Sequence, residues 1–152
     1  METLTKPVQV VARVLLALIF VLAGINKLGG VGRTASYMAA HGIPAAHILV
    51  FGAIAMELGV GLLLMVGLFT RLAAFALFCY TLALALIFHP YWAAAPADAG
   101  MQHTLFYEHL SMMGGMLCAV ALGGGEWSLD ALLGRQKHSA GLPLAGRPAP
   151  HT

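Results

Sequence analysis

The sequence predicts an all-α integral membrane protein, a four-helix transmembrane bundle with both termini cytoplasmic. Three observations predict it: a shortage of charge, four apolar runs of membrane length, and an uneven distribution of Lys and Arg between the connecting segments. Eight Lys/Arg and six Asp/Glu make up 9% of the 152 residues, against 60% hydrophobic residues and a mean hydropathy of +0.85. A soluble domain carries about 25% charged residues, so the composition argues against a soluble enzyme. The net charge of +2 is spread along the chain without a basic stripe, which argues against a nucleic-acid partner. The bilayer is the partner the composition demands.

A helix needs about 20 mostly apolar residues to cross the hydrocarbon. Residues 8–28, 46–69, 71–89 and 104–122 meet that length and together define a membrane domain over 1–134. Segments 34–56 and 72–97 contain no charged residue at all. Residues 33–41 suit a short interfacial helix closed by Gly42 and Pro44. The turn at 67–70 is so short that the second and third spans must form an antiparallel hairpin. The 90–101 loop holds Tyr91, Trp92 and Pro96, aromatics suited to the membrane surface. Residues 135–152 are rich in Pro, Gly and Ala and basic, and read as a disordered cytoplasmic tail. Lys6, Arg13, Arg71, Arg135, Lys137 and Arg147 fall on one side and Lys27 and Arg33 on the other, so the positive-inside rule puts both termini in the cytoplasm. A cleavable signal peptide over the first span is the competing reading of the amino terminus, and it would leave three spans.

Ionisable groups inside a span cost about 2.5–3.5 kcal/mol each at the helix centre and need a partner or a purpose. Glu57 lies at the middle of the second span, about 16 Å from either end. It cannot reach the surface, so it must be protonated or paired. Arg13, about 8–9 Å away in depth, is the nearer expected partner, with Arg71 as a second balancing cation and Lys27 farther off. A structural ion pair is the plain reading of Glu57, and a proton-linked or ligand-binding carboxylate is the functional one.

Lys27, His89, Glu108 and His109 come from three different spans but share one expected depth near the external face. Two imidazoles, a carboxylate and an ammonium around an apolar opening have the donors to hold both carbonyls of a quinone and to exchange its protons. The plain alternative is a polar rim at the headgroups. Opposed histidines on neighbouring helices also ligate haem in bundles, but His89 and His109 form a single pair without flanking glycines, which disfavours haem. No metal-ligand set is apparent. Cys79 and Cys118 form no Cys-x-x-Cys pair and read as buried packing residues. Met112, Met113 and Met116 beside Gly114-Gly115, and Gly59 and Gly61, read as helix-contact positions.

Taken in order, these segments resemble the DoxX-like four-helix membrane proteins from residue 8 to about 134. The matching residues are Gly24-Ile25-Asn26-Lys27-Leu28, Met56-Glu57-Leu58-Gly59, Phe69-Thr70-Arg71-Leu72-Ala73, Phe88-His89, the 110–117 stretch with Gly114-Gly115, and Trp127-Ser128-Leu129-Asp130. One departure is Glu108-His109, where many relatives carry a Lys-Asn pair. The resemblance implies a bacterial inner-membrane protein, often described as an oxidoreductase subunit. Founding relatives are linked to thiosulfate:quinone oxidoreduction, others to quinone or catechol resistance and to oxidative-stress complexes. The functional expectation is therefore a membrane subunit of an oxidoreductase system with a quinone or small aromatic ligand between its helices. It would work with a soluble or membrane oxidoreductase partner or as a homo-oligomer. A non-enzymatic scaffold for a soluble redox partner and a proton-coupled exporter are the alternatives.

Overall fold

The structure, a computed structural model, describes residues 2–140. Helix α1 spans Glu2–Leu28, α2 Val31–Ala40, α3 Ala46–Val66, α4 Thr70–Phe88, α5 Ala99–Leu122 and α6 Leu129–Ala140. Helices α1, α3, α4 and α5 are each long and apolar enough to cross a membrane. The spans alternate in direction. The starts of α1 and α4 therefore share one membrane face with the ends of α3 and α5, here the terminal face. The opposite face carries α2 and the loop between α4 and α5.

Small residues decide how closely the helices approach. A Cβ at Gly24 would sit 2.6 Å from Leu58 Cγ, and one at Gly61 would meet Phe20 and Val21, so α1 and α3 are in backbone-close contact. Gly59 and Gly114, expected at such contacts, instead face open space. The helix surface turns only part of their glycine pairs inward. The bundle core joins Ala17 and Phe20 of α1, Leu64 of α3, Ala73, Ala74 and Leu77 of α4, and Met116 of α5. A smaller cluster toward the α2 face joins Met38 with Ala46, Val50 and Ile54, and Leu58 and Phe88 pack against it. Burial covers 28% of the apolar window in α3 and α4 but 11% in α5, so α5 has the widest face left for lipid. Cys79 and Cys118 lie exposed on the outer surfaces of α4 and α5 rather than buried.

The expected element ends shift for local reasons. Helix α3 stops at Val66 because Gly67 takes a left-handed φ of +74°, and 67–69 form the turn. Phe69 is also left-handed, at φ +49°, an unusual state for a bulky residue. Its N–H is held by the Asp130 carboxylate. Helix α5 begins at Ala99 rather than 104, its first turn closed by Gln102 N–H donating to Asp98 O at 3.0 Å. Midway along α3, residues Ala55–Val60 widen into a π-turn. Helix α6 runs to Ala140, and the rest of the expected tail, 141–152, lies outside the described residues.

Candidate functional site

The π-turn of α3 carries Glu57, and wide turns of this kind are frequent at functional positions. Its carboxylate is 2% exposed. Lys27 reaches inward from the last turn of α1, and its Nζ lies 2.8 Å from both Glu57 Oε1 and Oε2. Tyr80, from the middle of α4, donates its hydroxyl to Oε1 at 2.8 Å. Only Oε1 receives directed hydrogen bonds. Oε2 feels the ammonium's charge at an angle that makes no bond, and the buried Thr81 Oγ1 next to Tyr80 also has no partner among the described residues. A carboxylate, an ammonium and a phenol from three different spans therefore meet inside the bundle. Lone pairs remain open there for a further donor.

This geometry corrects the expected pairing. Arg13 does not reach Glu57. Its Nε donates to Met65 O at 3.2 Å, one terminal nitrogen donates to Trp127 O at 3.0 Å, and the other binds Gly124 O. The reason is local supply: the ends of α3 and α5 present unpaired carbonyls at the depth of Arg13, and a guanidinium satisfies several at once. Arg71 is likewise remote from Glu57. It is exposed at the start of α4, its guanidinium lying over Gly123.

On the α2 face, His89 Nδ1 is 2.9 Å from the Gln102 side-chain oxygen, and the His89 and His109 rings are 4.9 Å apart. His109 Nδ1–H donates to Leu105 O at 2.8 Å, so Nε2 is the ring nitrogen left for another partner. Glu108 is exposed. Of the four groups expected at one depth, the structure thus joins His89 to His109, turns Lys27 toward Glu57 and leaves Glu108 aside. Next to His89 opens a cleft of about 190 Å³ lined by His41, Phe88, Pro90, Ala93, Asp98 and Gln102, among others. Tyr37 stacks on Phe88 at 5.4 Å, and Tyr91 makes edge contacts with Trp92, His103 and Phe106. The apolar cluster around Ile54 touches Phe88 on the cleft wall and Leu58 next to Glu57.

On the terminal face, Asp130 of α6 accepts hydrogen bonds from Phe69 N–H at 2.7 Å, Thr70 N–H at 2.8 Å and Thr70 Oγ1 at 2.8 Å. Its own N–H returns to Gly67 O at 2.9 Å. This is the clamp that holds Phe69 left-handed and ties α6 to the α3–α4 turn. Burial pushes the Asp130 carboxyl upward, but the Thr70 and Phe69 donors and the nearby Arg13 charge outweigh it and hold the group below its ordinary value. Tyr80 and Gln102 had no signal in the sequence, since an aromatic in an apolar span reads as packing and an amide before a span as loop. Asp130 and Thr70 were marked only through the family resemblance.

The DoxX family model matches residues 8–90. The inner membrane protein YphA of Escherichia coli strain K12 is 34% identical over 120 residues, covering 79% of this chain and 86% of the relative. The inner membrane protein YqjF of the same strain is 33% identical over 126 residues, covering 83% and 92%. No solved structure matches the chain significantly.

Proposed function

The chain belongs to the DoxX family of multi-pass inner-membrane proteins, and on that premise we propose that it is the membrane subunit of an oxidoreductase system, holding a quinone-type or small aromatic ligand between its helices. One observation carries the reading: Lys27, Glu57 and Tyr80 converge from three spans in the bundle interior, where ionisable groups are costly and mark function by default. The cleft beside His89 offers an aromatic wall and hydrogen-bond donors of the kind small-ligand sites use. In this reading His89, His109 and Gln102 orient the ligand, and the Lys27–Glu57–Tyr80 cluster exchanges protons with it. Reduction of a quinone takes two electrons and two protons. The electrons come from a soluble or membrane oxidoreductase partner, since the reading assigns this chain no redox group. Residues 1–134 form the working domain, with both termini in the cytoplasm.

The test is binding of a short-tailed quinone to the purified protein in detergent, by titration of intrinsic Trp and Tyr fluorescence. Saturable binding weakened at least tenfold by both His89→Ala and Glu57→Gln supports the reading. Binding that is weak and equal in wild type and both variants removes it. A scaffold reading has one observation of its own: the Lys27–Glu57 pair satisfies most of its own charge and would lock helices without any ligand. Co-purification of a soluble oxidoreductase that survives Glu57→Gln, with no quinone bound, would favour the scaffold.

A further inference from the structure

Arg71 was expected to balance Glu57, and the structure leaves it without that task. Among the described residues it makes no hydrogen bond or ion pair. Its side chain folds back over Gly123 at the end of α5, with Nε 3.4 Å from where a Cβ would stand. It lines a cleft of about 360 Å³ together with Phe69, Thr70, Leu72, Gly124 and Asp130. The cleft lies at the terminal face, where α4 begins, so the guanidinium stands at headgroup depth. Phe69 and Leu72 on either side are 62% and 68% exposed, apolar surface at the depth where acyl chains begin. Trp127 just before α6 and Leu132 and Leu133 within it are all exposed, which matches the aromatic and apolar anchoring of a surface helix.

From this placement we infer that the Arg71 cleft is a binding site for the phosphate of an anionic glycerophospholipid. The guanidinium faces the headgroup, and Phe69 and Leu72 lie along the acyl chains. The local charge permits it. Among the described residues Asp130 is the only acidic group lining the cleft, and both its oxygens are engaged by Phe69 and Thr70 donors. Arg13 beside it is buried and bound to carbonyls, and its charge offsets that of Asp130. Among the described residues, the balance over the cleft is one free positive charge, Arg71. A planar, bidentate guanidinium suits a phosphate better than a point charge would. In a zwitterionic phospholipid the choline cation cancels the phosphate charge, and the one carboxylate lining the cleft, Asp130, already has both oxygens engaged, so the site discriminates by net charge.

The test is native mass spectrometry of the full chain released from micelles doped with phosphatidylglycerol or phosphatidylcholine. Wild type should retain phosphatidylglycerol in preference to phosphatidylcholine. Arg71→Gln should lower that preference about fivefold, the usual weight of one cation at an anionic membrane surface. Arg33→Gln, which removes an exposed cation from the opposite face, should leave it unchanged. Equal retention of the two lipids by wild type overturns the inference, and this comparison needs no variant to fold. Equal losses in Arg71→Gln and Arg33→Gln would reduce the effect to generic charge and also overturn it. Millimolar inorganic phosphate displacing the lipid completely would make this a free-anion site and refute the lipid assignment.

Discussion

At the scale of single residues, the cost of charge in a bilayer makes Glu57 legible and its partner illegible. The position at mid-span says that the carboxylate must be paired. Counting depth along straight, upright helices then selects Arg13, because it ignores where a side chain can turn. Lys27 sits nearer the α2 face but its flexible stem reaches down to Glu57. Arg13 finds backbone carbonyls at its own depth, and no sequence pattern advertises those. Tyr80 was invisible for a different reason, since its hydroxyl matters only once α4 is docked against the π-turn. Removing one partner of a buried pair strands the other. Lys27→Met should therefore destabilise the fold by about 3–5 kcal/mol, while Lys27→Met with Glu57→Leu should recover most of that loss. Tyr80→Phe removes one bond to a charged acceptor and should cost about 1.5–3 kcal/mol. Unfolding in mixed micelles with increasing SDS measures all three. A double variant no more stable than Lys27→Met would show that the pair is not what the two residues share.

At the scale of elements, hydropathy located every span, and local chemistry set the ends. The second span stops early because Gly67 turns left-handed and the Asp130 clamp holds Phe69 there. The clamp links two segments that the family resemblance had flagged separately, Phe69-Thr70-Arg71 and Ser128-Leu129-Asp130. The clamp gives a pH prediction with a definite sign. The Asp130 carboxyl is held below its ordinary value in the folded protein, so its contribution is fully present above the unfolded value of about 3.9 and is lost as pH falls through the depressed folded value. Wild type should lose thermal stability on acidification below about pH 4. Asp130→Asn should melt lower at neutral pH, by about 1 kcal/mol as for a lost helix cap, and should show less of the acid decline. Parallel acid profiles for the two proteins would remove Asp130 as the cause.

At the scale of the whole molecule, four spans place the two termini on one face, and the excess of Lys and Arg on that face predicts that it is cytoplasmic. A fluorescent protein fused to the carboxyl terminus should fold and emit, while an alkaline phosphatase fusion at the same place should stay inactive. The reverse pattern would invert the protein in its membrane. Orientation matters to function because, with the termini cytoplasmic, the Arg71 cleft would face the cytoplasmic leaflet and the His89–His109 pair the outside. Between those faces lies the Lys27–Glu57–Tyr80 cluster, a feature that a purely structural bundle does not need, since well-packed apolar residues of the same volume hold helices at least as well as a buried ion pair. The central claim is that this cluster works on a ligand, and the double variant Lys27→Met/Glu57→Leu tests it most directly. Quinone titration should find the variant folded and inserted but with binding lost, whereas a folded variant that binds a short-tailed quinone as tightly as wild type would contradict the account.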